Sequence, residues 1–117
     1  MNFPTVFIRW ITLCISTASF SVQVNGELAG FFQSARGLRQ GCSLSPYLFV
    51  ISMDILSKML DKAAGAHHFG YHPRCKKLGL THLSFAYDLM ILSDGKVRSI
   101  EGIMEVLDDF AKWSGLK

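Results

Sequence analysis

Charge is scarce in this chain. Only 18% of the residues are charged while 50% are hydrophobic, against about a quarter charged in an ordinary soluble domain, so apolar surface is expected that wants a partner to cover it. The formal charge of +3 is too small for composition alone to argue for nucleic-acid binding. Cysteine is sparse as well. Cys14, Cys42 and Cys75 are odd in number and widely spaced, which excludes a disulfide framework and fits free thiols in a reducing, intracellular setting, nucleus or cytoplasm. Long apolar runs are missing too: the signal-like stretch "WITLCISTASF" after Arg9 falls well short of the roughly 20 residues that a bilayer span requires, so no membrane partner is expected. Phe20, Val22 and Val24 alternate with Ser19, Ser21 and Gln23 directly after it, the period of a half-buried strand rather than of an anchor.

What is present is periodic. The length of 117 residues suits one domain, which at this size buries roughly two-thirds of its unfolded surface. Phe3, Val6, Phe7, Trp10, Ile11 and Cys14 recur at helical spacing, predicting a helix from about Pro4 to Ile15 whose stripe covers a sheet. The strand that follows ends at Asn25-Gly26, a strong hairpin signal because both residues accept positive φ; its partner runs from Leu28 to Gln33. "SARGLRQGCSLSP" reads as an irregular loop. Ser45-Pro46 is a helix start, with the hydroxyl as cap, and the helix runs to Ala64 with Gly65 as its stop. Its apolar face is Leu48, Ile51, Ile55, Leu56, Met59 and Leu60, and Asp54 pairs with Lys58.

A polar connection spans Ala66 to Lys77. "HLSFAYDLMIL", from His82 to Leu92, then reads as two short apolar strands with Tyr87-Asp88 at the apex of their turn. A last amphipathic helix runs from Val97 to Trp113, with Ile100, Ile103, Met104, Leu107, Phe110 and Ala111 on one face and Gly115 as its stop. The order of helix, two strands, helix, two strands, helix predicts an α+β fold with helices packed on one face of antiparallel strands. His67, His68, His72 and Cys75 could form a ligand set, but their spacing matches no common zinc pattern, and a His-rich polar loop is the better reading. Arg74, Lys76 and Lys77 cluster on that same connection, read from the residues alone as a solvated loop.

Taken together, "GLRQGCSLSPYLFVISMDIL", "LGLTHLSFAYDLMILSDG" and "VLDDFAKWSGLK", with "FIRWITLCISTASFSVQVNGELAGFF" before them, resemble the reverse transcriptase domain of plant LINE-type non-LTR retrotransposons over nearly the whole chain. The resemblance implies a partial polymerase palm, an RNA template, a DNA primer and dNTP as partners, and Mg²⁺ as cofactor. It places the fingers and the motif with the first catalytic Asp before residue 1 and the thumb after residue 117. In the family the hairpin tip reads Phe/Tyr-Ala-Asp-Asp, and its paired carboxylates help to hold two Mg²⁺ ions, hard cations that favour carboxylate oxygens.

Here Phe85 and Ala86 match, Tyr87 replaces the first Asp, and Asp88 keeps the second as the residual catalytic and metal-binding residue. A phenol, with an ordinary pKa of about 10, is neutral at physiological pH, so one negative charge is missing. Arg39, Gln40 and Gly41 match the segment that lies against the incoming nucleotide, with Arg39 suited to phosphate. Arg36, Arg74, Lys76 and Lys77 are the candidates for nucleic-acid contact. The implied function is a reverse transcriptase palm fragment without productive Mg²⁺ binding; a retained nucleic-acid or protein-binding module is the alternative. An exposed apolar strand edge also points to self-association.

Overall fold

The computed structural model describes residues 2–33, 41–86 and 88–115. The chain divides into two compact units, Met1–Leu48 and Phe49–Lys117. The first contains helix α1 (Thr5–Ser16) and strands β1 (Ser19–Val24) and β2 (Glu27–Gln33). Helix α2 (Ser45–Gly65) begins at its end and continues through the second unit, which adds a short 3₁₀ helix at Lys76–Leu78, strands β3 (His82–Phe85) and β4 (Asp88–Ile91), and helix α3 (Val97–Ser114). The class is the α+β mix expected of a partial palm. The described strands form two separate antiparallel hairpins, β1 with β2 and β3 with β4.

In the first unit the hairpin forms where Asn25-Gly26 calls for it. Both residues have positive φ, 51° and 89°, and Val24 pairs with Glu27 across them, the geometry that matches strand twist in a two-residue connection. The register shifts between Ser21 and Val22, where Phe31 and Ala29 are their partners. Gly30 is left between those partners with φ of 69°, a bulge at a residue free to adopt the left-handed region. Phe20 stacks on Phe32 across the strands at 5.8 Å, and Phe3 on Phe7 along the start of α1 at 5.2 Å.

The expected burial of α1 against a sheet is not formed: none of its residues is buried, and Trp10 is 63% exposed. The physical reason lies in the helix itself. Phe7, Ile8, Trp10, Leu13 and Ile15 are all exposed and together go around the helix, so no single stripe faces one small hairpin.

The core belongs to the second unit. Leu56, Leu60, Ala63 and Ala64 of α2 meet Phe110 of α3, and Phe69 of the connection between α2 and β3 fills the space among them at 2% exposed. The connection predicted to be polar therefore supplies one of the largest core side chains. Leu89 and Ile91 of β4 pack on the same cluster, so α2 and α3 contribute to one face of the second hairpin.

Some local expectations are corrected. Gly65 is not the stop of α2 but its last helical residue; the chain turns at His67, with φ of 60°. His68 N–H donates to the Ala63 carbonyl and His67 N–H to that of Ala64, a Schellman closure with histidine where glycine is usual. At the other end, α2 begins at Ser45, as the Ser45-Pro46 signal predicts, and the Leu44 carbonyl accepts the bond from Leu48 N–H at 3.1 Å.

The buried face of α3 is also rotated from the predicted one. Ser99, Gly102 and Phe110 are buried, whereas Ile100 and Met104 are each more than half exposed. Gly102 lies so close to the His68 carbonyl that any Cβ would meet it, and that approach sets which side of the helix turns inward. On α2, similarly, Ile55 is left 47% exposed.

Candidate functional site

The hairpin β3–β4 carries the candidate site residue Asp88. Its register pairs His82 with Ile91, Leu83 with Met90, Ser84 with Leu89 and Phe85 with Asp88. Directly paired residues share a face of the sheet. Leu89 and Ile91 face the core, so His82 and Ser84 lie on that side. Asp88, Phe85, Leu83 and Met90 lie on the other, where Phe85 is 82% exposed, Met90 60% and Leu83 53%. The candidate carboxylate thus stands on an outward, mostly apolar face.

Asp88 is the first paired residue of β4 rather than part of the turn, which corrects the expected Tyr87-Asp88 apex by one position. The connection consists of positions 86 and 87, and Ala86 takes φ of 50°. A left-handed residue with a Cβ costs on the order of 1 kcal/mol, and tight hairpins require that conformation regardless. Tyr87 lies outside the described residues.

The nucleotide-binding candidates are only partly reached. Gly41 has φ of 77°, and an added Cβ there would meet nothing within 4 Å among the described residues. Arg36, Arg39 and Gln40 lie outside the described residues. Arg74, Lys76 and Lys77 are exposed, with Lys76 and Lys77 inside the 3₁₀ helix; none of these three has an ion-pair partner among the described residues.

The histidines are dispersed. His67 and His68 line a groove of about 320 Å³ with Arg98, Glu101 and Glu105, while His72 Nδ1 accepts the Arg74 N–H at 3.3 Å. Among the described residues no three His, Cys, Asp or Glu side chains are placed to hold a metal ion. A Mg²⁺ pair asks for several converging carboxylate oxygens. The hairpin offers Asp88 and, by sequence, a phenol beside it, so the donors described do not fit that group.

Two polar networks escaped the sequence reading. At the base of the hairpin, buried Thr81 donates its hydroxyl to Asp61 Oδ1 of α2 at 2.6 Å and lies 2.7 Å from His82 Nδ1. After β4, Asp94 N–H donates to the Gly70 carbonyl at 3.0 Å, and Gly70 N–H donates to Ser99 Oγ at 3.0 Å. The Ser99 hydroxyl, followed by the Lys96 backbone N–H and ammonium, holds the Asp94 carboxyl below its ordinary pKa; the ammonium is 3.3 Å away. Side chain to backbone bonds of this kind are invisible to periodicity, although the Ser and Asp before a helix were a weak signal.

No helix among the described residues is long and apolar enough to cross a membrane, and Cys14, Cys42 and Cys75 are not joined in disulfides. The family model described as reverse transcriptase (RNA-dependent DNA polymerase) matches residues 1–117. Among curated proteins, an uncharacterized mitochondrial protein of Arabidopsis thaliana is 36% identical over 66 residues, covering 56% of this chain and 54% of that protein. The chain therefore spans about half the length of that relative. No solved structure matches.

Proposed function

Since the chain belongs to the reverse transcriptase (RNA-dependent DNA polymerase) family, we propose that it is a palm fragment of a LINE-type plant retrotransposon polymerase whose catalytic site no longer works. The observation that carries this reading is the donor set of the hairpin. Asp88 stands exposed on β4, at the position of the family's second carboxylate, while Tyr87 takes the place of the first. A neutral phenol neither supplies the missing charge nor accepts a hard cation as a carboxylate does. Mg²⁺ is then not bound productively, and the palm keeps its shape without its chemistry.

Primer extension on an RNA template with dNTPs and Mg²⁺ or Mn²⁺ tests this. The expected result for the 117-residue chain is incorporation no greater than in a no-protein blank; templated extension would refute it.

A second reading has one observation in its favour. Arg74, Lys76 and Lys77 project from a single exposed segment without ion-pair partners among the described residues, so a nucleic-acid-binding module built on the palm surface would have phosphate contacts available. Such binding falls steeply with salt, because each neutralised phosphate releases counterions. Self-association belongs to the same reading, through strand edges that have no partner strand among the described residues and an apolar face that exposes Leu83, Phe85 and Met90.

A further inference from the structure

Thr81 is the residue before β3, 1% exposed, and its side-chain oxygen has two close polar neighbours. Asp61 Oδ1 lies at 2.6 Å and His82 Nδ1 at 2.7 Å. A hydroxyl has one proton to give and can accept others. An ionised carboxylate only accepts, so the Thr81 proton goes to Asp61. The remaining short contact can be a hydrogen bond only if His82 Nδ1 carries a proton and donates it to the Thr81 oxygen. Its other nitrogen, Nε2, then holds the lone pair whenever the ring is neutral.

We infer that Asp61 acts through Thr81 as a positioning relay, fixing His82 as the Nδ1–H tautomer and tying the base of the β3–β4 hairpin to α2. The same stretch of backbone supports the tie: Leu92 N–H donates to the Thr81 carbonyl at 2.8 Å, one step beyond the His82–Ile91 pair. Register matters here because a slip by one residue would turn every side chain of a strand to the opposite face, taking Asp88 inward and Leu89 and Ile91 outward. Asp61 is 4.0 Å from Nδ1 with its side chain 58% exposed, and the cross-strand partner Ile91 is apolar. This inference stands apart from the proposed function, since its readouts are a tautomer and a register rather than catalysis.

Nitrogen-15 NMR of the full chain at alkaline pH, where an ordinary imidazole is neutral, separates the two ring nitrogens. The expected wild-type result is a protonated Nδ1 and a lone-pair Nε2 on His82, with NOE contacts from His82 to Ile91 and from Ser84 to Leu89. Asp61→Asn keeps an acceptor oxygen and retains the tautomer. Asp61→Ala removes it, so the Thr81 proton turns to Nδ1 and the ring changes to Nε2–H, although His82 itself is untouched. Thr81→Val loses the tautomer and weakens the His82–Ile91 contact; Thr81→Ser restores both.

Asp61 is more exposed than buried, so Asp61→Ala leaves no buried orphan and is expected to fold, which keeps the test decisive even if Thr81→Val does not fold. An Nε2–H ring in the wild type, or the same tautomer in Asp61→Ala as in wild type, would overturn the relay. An unchanged His82–Ile91 contact in a folded Thr81→Val chain would overturn its role in register.

Discussion

Gly65 and Gly102 are both helical, and the structure assigns opposite signs to the same substitution at the two sites. At Gly65 an added Cβ meets nothing within 4 Å, so Gly65→Ala gains helix propensity, about 0.5–1 kcal/mol, without steric cost. At Gly102 the Cβ would press on the His68 carbonyl, its carbon at 3.0 Å. That neighbour is backbone and cannot rotate away. Overpacking of this sort costs about 1–3 kcal/mol, which outweighs the propensity gain, so Gly102→Ala is expected to lose about 1 kcal/mol or more on balance.

The propensity gain is common to both sites, so the two variants should differ by roughly the overpacking cost, about 1–3 kcal/mol. With a urea slope of about 1.5 kcal/mol per molar for a small domain, their midpoints separate by roughly 1–2 M, with wild type between them. Urea titration followed by far-UV circular dichroism measures this directly, given a cooperative transition. The sequence-only reading, with Gly65 as the left-handed stop of α2, makes the opposite forecast for the first variant: alanine forced to positive φ would cost about 1 kcal/mol. A lower midpoint for Gly65→Ala, or a higher one for Gly102→Ala, would refute the assignment of the turn to His67 and of the close approach to Gly102.

Two further outcomes follow from the same unit. His67→Gly removes a Cβ from a residue at φ of 60° and is expected to raise the urea midpoint by a few tenths molar, on the order of 0.5 kcal/mol after the added freedom of the unfolded chain is counted; a fall would mean that the imidazole has a stabilising contact. The lowered pKa of Asp94 gives a pH dependence of definite sign. The unfolded carboxylate takes up a proton first, at about pH 4, so the stabilisation is complete at neutral pH and disappears as pH falls through the lower folded value. Asp94→Asn should then be less stable than wild type at pH 7 and show a smaller loss between pH 5 and pH 2; equal acid sensitivity would assign the effect elsewhere.

Element identity was legible because it is local. The Asn25-Gly26 hairpin, the three helices and the β3–β4 hairpin all follow from residues that choose their own backbone or repeat at a fixed period, whereas Asp88 as a site residue is an expectation from the family motif alone. What was not legible depends on contacts distant in sequence. Phe69 sits among Gly, His and Pro in a stretch with no periodicity, and only the gap between α2 and α3 makes it core. The inward side of α3 is chosen by Gly102, whose value is the absence of a side chain. Thr81 looks like an ordinary residue before a strand until Asp61, 20 positions earlier, is brought to its hydroxyl.

In the hairpin, the residues that join the core and the candidate site carboxylate lie on opposite faces. Its inward residues, His82, Leu89 and Ile91, join the core and the Asp61–Thr81 relay, so a change there is felt as instability or a shifted register. Asp88 faces outward with exposed Phe85, Leu83 and Met90, and no contact of the core depends on it. Surface substitutions away from packing and networks usually alter stability by no more than about 0.5 kcal/mol. A change at the position beside Asp88 is therefore compatible with the fold, and on the proposed reading Tyr87→Asp would add charge to the hairpin without completing a metal site, since among the described residues no three His, Cys, Asp or Glu side chains are placed to hold an ion. On that reading Tyr87→Asp is expected to give no incorporation above a no-protein blank in primer extension, and activity in that variant would show that a further carboxylate in these 117 residues completes the site.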